Sequence, residues 1–114
     1  LPIIENDYRF KVIILIILNF PKLYDSFERQ LIKIKFTNNS LHEVKEVIFN
    51  DIRENSDVSC NQLVENLKDK DLFKILEDFK LETIFSKFRS SDEKVNIDES
   101  RKILEELIFM VNNN

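Results

Sequence analysis

Glycine, alanine and tryptophan are absent from this 114-residue chain, and cysteine, histidine and methionine occur once each. Without glycine there is no phosphate-cradling loop of the kind whose backbone must approach its ligand closely, and left-handed turns and tight hairpins lose their usual residue. The single cysteine, Cys60, excludes an internal disulfide and points to a reducing, intracellular, cytoplasmic setting. The single histidine, His42, excludes zinc sites built from several histidines. Long apolar runs are missing as well. The longest, Val12–Leu18, lies between Lys11 and Asn19, far short of the roughly 20 residues that span a bilayer. No charged segment followed by an apolar stretch and a small-residue cleavage site opens the chain, so no signal peptide is read. A start at Leu1 rather than Met is expected of a fragment of something longer.

What remains is rich in Ile, Leu, Phe, Lys and Asn, with 43% hydrophobic residues and a net charge of −4. That length and apolar content predict one helical domain over residues 1–114. Because Val12–Leu18 has no polar break, it must be covered on most sides, so it is expected to be the central helix of a small all-α bundle of about six or seven helices. Charge is uneven. Between residues 8 and 36 six cations (Arg9, Lys11, Lys22, Arg29, Lys33 and Lys35) stand against Asp25 and Glu28, a local net charge of +4. A sequence pI near 5.1 is nevertheless far from a basic nucleic-acid footprint, and direct contact with nucleic acid is not expected.

The predicted helices follow the spacing of apolar residues. The first runs from about Asp7 to Asn19, and Pro21 suits the first turn of a second, whose Leu23, Phe27, Leu31 and Ile34 share one stripe. Ser40 with Glu43 reads as a capping box opening a third helix to about Glu54, and Ser59 with Gln62 as another opening a fourth. Lys68-Asp69-Lys70 reads as the next joint. Leu72, Phe73, Ile75, Leu76 and Phe79 make a short apolar helix, and Leu81, Ile84, Phe85 and Phe88 make another. The polar stretch near 90–96 is the best loop, after which Asp98 caps a last helix carrying Ile103, Leu104, Leu107, Ile108 and Val111.

Few residues invite chemistry. His42 reads as a surface residue in the first turn of a helix, and a nucleophilic role for Cys60 would require an orienting histidine from a different helix. Asp69 with Asp71 and Glu105 with Glu106 read as solvated helix faces, and Ser91–Glu99 lacks the central glycine of a calcium loop. No catalytic residue, metal or cofactor is expected. The exception to a simple core reading is the last helix, where Ile108, Phe109, Met110 and Val111 are apolar around most of its circumference. Of these, Ile108, Phe109 and Val111 are the candidate partner-binding residues.

The order of motifs resembles a known family. An apolar helix ends in Leu18-Asn19-Phe20-Pro21-Lys22-Leu23, a charged helix follows, and Lys33-Ile34-Lys35-Phe36 precedes a polar break. Leu41 then starts a helix that ends near Asp51-Ile52. This is similar to the C-terminal domain of bacterial DnaG-type primases over roughly residues 5–111. The resemblance implies an all-helical, non-catalytic module that docks on the hexameric replicative helicase, of the DnaB type, and stimulates it at the fork. Members of the family continue into a terminal helical hairpin, so the chain is expected to represent the first, bundle-like part. The alternative function, from the residues alone, is a free-standing helical adaptor or oligomerisation domain with no replication role.

Overall fold

The computed structural model describes residues 2–77 and 93–113, with side chains from Asp7 and from Asn96 onward in the two flanking helices. Among the described residues there are six α-helices and no strand: α1 (Pro2–Asn19), α2 (Leu23–Ile32), α3 (Asn39–Glu54), α4 (Cys60–Asp69), α5 (Lys74–Glu77) and α6 (Glu93–Asn112). The expected small all-α bundle is what the chain forms.

At its centre, α1 is buried on every side: each residue from Val12 to Leu18 is at most 5% exposed. It packs against α3, α4 and α6, while α2 packs on α6 and α3 on α5. Fully burying one such side chain is worth about 1.5–3 kcal/mol, so this run dominates the core. α1 stops at Asn19, whose amide donates to the Leu15 carbonyl at 2.9 Å. The reason is Pro21, which has no N–H to donate and disfavours helical geometry in the residue before it. A turn held by Leu23 N–H to Phe20 O (3.0 Å) and Tyr24 N–H to Pro21 O (3.1 Å) redirects the chain into α2. Pro21 thus precedes α2 rather than sitting inside its first turn.

Three local expectations need correction. Ile34 is not on α2, which ends at Ile32. Lys33 to Thr37 leave the helix, and Ile34 (6% exposed) and Phe36 (7%) turn inward while Lys35 and Thr37 stay outside. Inward and outward side chains thus alternate from Ile34 to Thr37, and the Phe36 ring meets Phe10 at 4.8 Å between centroids. Secondly, Asn38 rather than Ser40 caps α3: its Oδ1 accepts from Leu41 N–H at 3.1 Å, and its Nδ2 reaches Asp7 Oδ2 of α1 at 3.4 Å. One side chain therefore both caps α3 and ties it to α1.

The third correction concerns the end. Residues 93–96, expected in a loop, are helical, and Asp98 lies inside α6, accepting from Arg101 Nη1 at 3.0 Å instead of capping. Glu93 and Lys94 are good helix formers, and polarity alone did not make them a loop. Residues 90–92 and the predicted stripe Phe79, Leu81, Ile84, Phe85 and Phe88 lie outside the described residues. The capping box at Ser59 and Gln62 is present in both directions, at 3.1 and 2.8 Å. α4 runs through Lys68 and Asp69, so the joint falls at Lys70–Phe73. There Asp71 adopts φ 58°, and the two bonds of a Schellman motif close the helix: Asp71 N–H to Lys68 O (3.0 Å) and Leu72 N–H to Leu67 O (2.8 Å). In a chain without glycine, aspartate takes the left-handed position that its short polar side chain tolerates.

Candidate functional site

Along α6, Leu104 is 0% and Ile108 4% exposed, with Ile97, Ile103, Leu107 and Val111 partly buried against the same core. Phe109 follows two residues after Leu107 and two before Val111. At about 100° of rotation per residue it therefore points away from both. Its ring is 68% exposed, and neighbouring Met110 is 41% exposed. A phenylalanine exposed to that degree leaves most of its surface uncovered by its own fold.

The ring divides two grooves. One, on the outer side of α6, is lined by Lys102, Glu105, Glu106, Phe109 and Met110. The other lies between α6 and α2, where Phe27 and Gln30 face Ile108, Phe109, Asn112 and Asn113. The second groove is pinned at its end, because Asn112 Nδ2 donates to the Gln30 carbonyl at 3.3 Å. The Phe109 carbonyl also accepts from Asn113, through its backbone N–H (3.1 Å) and its side-chain amide (2.8 Å). Backbone at the ring's own residue is therefore held firmly.

The three residues picked from sequence differ in exposure: Phe109 is outside, Val111 is half-buried against the core, and Ile108, though it lines the groove facing α2 together with Phe109, is buried in the core and holds α6 in place. Residues missed by that choice are Met110, Glu105, Glu106 and, across the groove, Phe27 and Gln30. The signal for part of this set was available: Lys102, Glu105, Glu106 and Phe109 stand at i, i+3, i+4 and i+7, one helix face.

His42 and Cys60 stand on different helices, α3 and α4. His42 is exposed on α3, with Nε2 3.5 Å from Glu46 Oε1. Glu46 is held below the usual carboxylate range, first by its hydrogen bond from Lys45 at 2.8 Å. The Lys45 ammonium in turn lies over the rings of Phe36 and Phe49, at 5.4 and 5.9 Å, where cation–π attraction holds it. Cys60, the first residue of α4, is half-buried, and burial pushes its thiol up rather than activating it. Among the described residues no group of three or more His, Cys, Asp or Glu could hold a metal ion, and no helix is long and apolar enough to cross a membrane.

The molecule is a small all-α bundle with an aromatic side chain displayed on the outer face of its last helix. No family model matches the chain, and neither a curated protein nor a solved structure matches it.

Proposed function

We propose that this chain is a non-catalytic docking module of a replicative primase, which holds that enzyme on the hexameric replicative helicase through the outer face of α6. The observation that carries the docking role is Phe109, 68% exposed on the face opposite the buried stripe and standing between two grooves. Aromatic residues, phenylalanine among them, are enriched at the buried core of protein interfaces relative to the rest of the surface.

What supports the particular partner is the order of motifs. Leu18-Asn19-Phe20-Pro21-Lys22-Leu23 forms the sharp turn from the central helix into α2, and Lys33-Ile34-Lys35-Phe36 carries the chain to α3, the sequence of features in which the chain resembles primase C-terminal domains. The module works by tethering, in the cytoplasm where the replication fork is. Joining two machines through a bound module makes their encounter effectively intramolecular, at local concentrations around the millimolar range for a short flexible linker.

Calorimetric titration into the replicative helicase of the same organism tests this, with Phe109→Asp alongside. Saturable binding that the variant loses is the expected result. Binding that the variant keeps would leave the function and move the surface away from Phe109. Absence of binding, together with concentration-dependent self-association, would place the chain among free-standing helical adaptors instead.

A further inference from the structure

The charges beside Phe109 narrow the chemistry of its partner. Along the exposed side of α6 two cations are matched one turn earlier: Arg101 Nη1 by Asp98 at 3.0 Å, and Lys102 Nζ by Glu99 at 3.8 Å. Glu105 and Glu106 come next and are exposed, and neither has a cation within ion-pair distance among the described residues. No basic residue occupies the last turn of α6, where a cation would meet the negative end of the helix dipole. The groove wall of Lys102, Glu105, Glu106, Phe109 and Met110 is thus apolar at its centre, and with Lys102 held by Glu99 its border carries two carboxylates that have no cationic partner among the described residues.

Resting on the docking function proposed above, we infer that this face takes a basic amphipathic helix. Its apolar stripe covers Phe109 and Met110, and its lysines or arginines meet Glu105 and Glu106. A helix laid in a groove presents its own apolar anchors at i, i+3, i+4 and i+7; on α6 the receiving residues Lys102, Glu105, Glu106 and Phe109 share one face. Apolar contact supplies the affinity. The charge pairs at the border set orientation, association rate and the rejection of acidic partners.

Two synthetic helical peptides of about 18 residues, long enough to hold a helix, test this directly. They share one leucine stripe and differ only in carrying Lys or Glu on its flanks. Fluorescence anisotropy with the whole chain is expected to show the Lys peptide binding about tenfold tighter at low salt, the size of two bordering ion pairs. That advantage should vanish near 1 M salt, where the screening length is about 3 Å, and the double variant E105K/E106K should reverse the order of the peptides. Phe109→Asp should abolish binding of both.

Equal binding of the two peptides, a preference unmoved by E105K/E106K, or binding of neither would overturn the inference. So would a dimer of this chain that Phe109→Asp dissolves and the Lys peptide does not displace, because the face would then belong to a second copy. The helicase titration separates this from the docking function itself. Helicase binding lost in Phe109→Asp but indifferent to E105K/E106K sinks the basic-helix inference alone, whereas Lys-peptide selectivity without helicase binding sinks the primase reading alone.

Discussion

The first and last helices are both rich in aliphatic residues, yet they use them in opposite ways. In α1 the run Val12–Leu18 turns almost two full circles and every residue in it is buried, so no side of the helix is free. In α6 the four apolar residues Ile108 to Val111 divide: Ile108 is core, Val111 half-buried, and Phe109 and Met110 face solvent. An apolar run therefore reports a core only when other helices surround it on all sides. Where one side stays open, the same kind of sequence leaves hydrophobic surface for something else to cover.

The contrast can be broken most severely at α1. Leu15→Ala removes a side chain with 0% exposure and should cost about 2–5 kcal/mol in urea unfolding; a cost below about 1 kcal/mol would mean that α1 is not the centre of the bundle. Next comes the link between α1 and α3. Asn38→Ala deletes both the cap on Leu41 N–H and the contact with Asp7, with an expected loss of about 1–2 kcal/mol.

Tyr24 gives a smaller effect of opposite sign. Tyr24 is 2% exposed and its ring lies 5.0 Å from that of Phe49, but its hydroxyl, though near Glu28, makes no hydrogen bond of ordinary geometry. Tyr24→Phe should therefore be neutral or stabilising by up to about 1 kcal/mol. Burial, first of all, raises the phenol above its ordinary value of 10.0, with Glu28 and Asp25 adding to this and Arg53 opposing it. A raised native value means that the unfolded chain ionises first, so this residue draws stability away as pH rises from about 10. The variant should lose less stability than the parent over that alkaline range, measured as thermal midpoint against pH. The smallest change is at the end of α4, where Asp71→Gly should shift stability by less than about 0.5 kcal/mol, because relief of the left-handed residue is offset by a freer unfolded chain and by loss of the exposed pair with Lys74 at 3.0 Å.

Much of the scaffold was legible because it rests on short-range rules. The core helix followed from an unbroken apolar run, the turn after it from Pro21, and the cap of α4 from Ser59 with Gln62. What was not legible depended on contacts distant in sequence. Ile34 looks like the last stripe position of α2, but the chain has left the helix there and Phe36 packs on Phe10. Asn38 outcompetes Ser40 as a cap because it also reaches Asp7, 31 residues away. At the candidate site, Phe109 could be picked out as surplus apolar surface. The stripe Leu104, Leu107, Ile108 and Val111 already sends Ile108 inward and Phe109 outward; what the local sequence does not show is that Phe27 and Gln30 of α2 lie across the groove.

The decisive measurement is crossed: thermal stability and helicase binding, each for Ile108→Ala and Phe109→Asp. The account predicts a double dissociation. Ile108→Ala should lower stability by about 2–5 kcal/mol and keep binding wherever it is folded, while Phe109→Asp should stay within about 0.5 kcal/mol of the parent and lose binding. A Phe109→Asp protein that unfolds as readily as Ile108→Ala, or one that still binds as the parent does, would contradict the division of α6 into a buried face and a docking face.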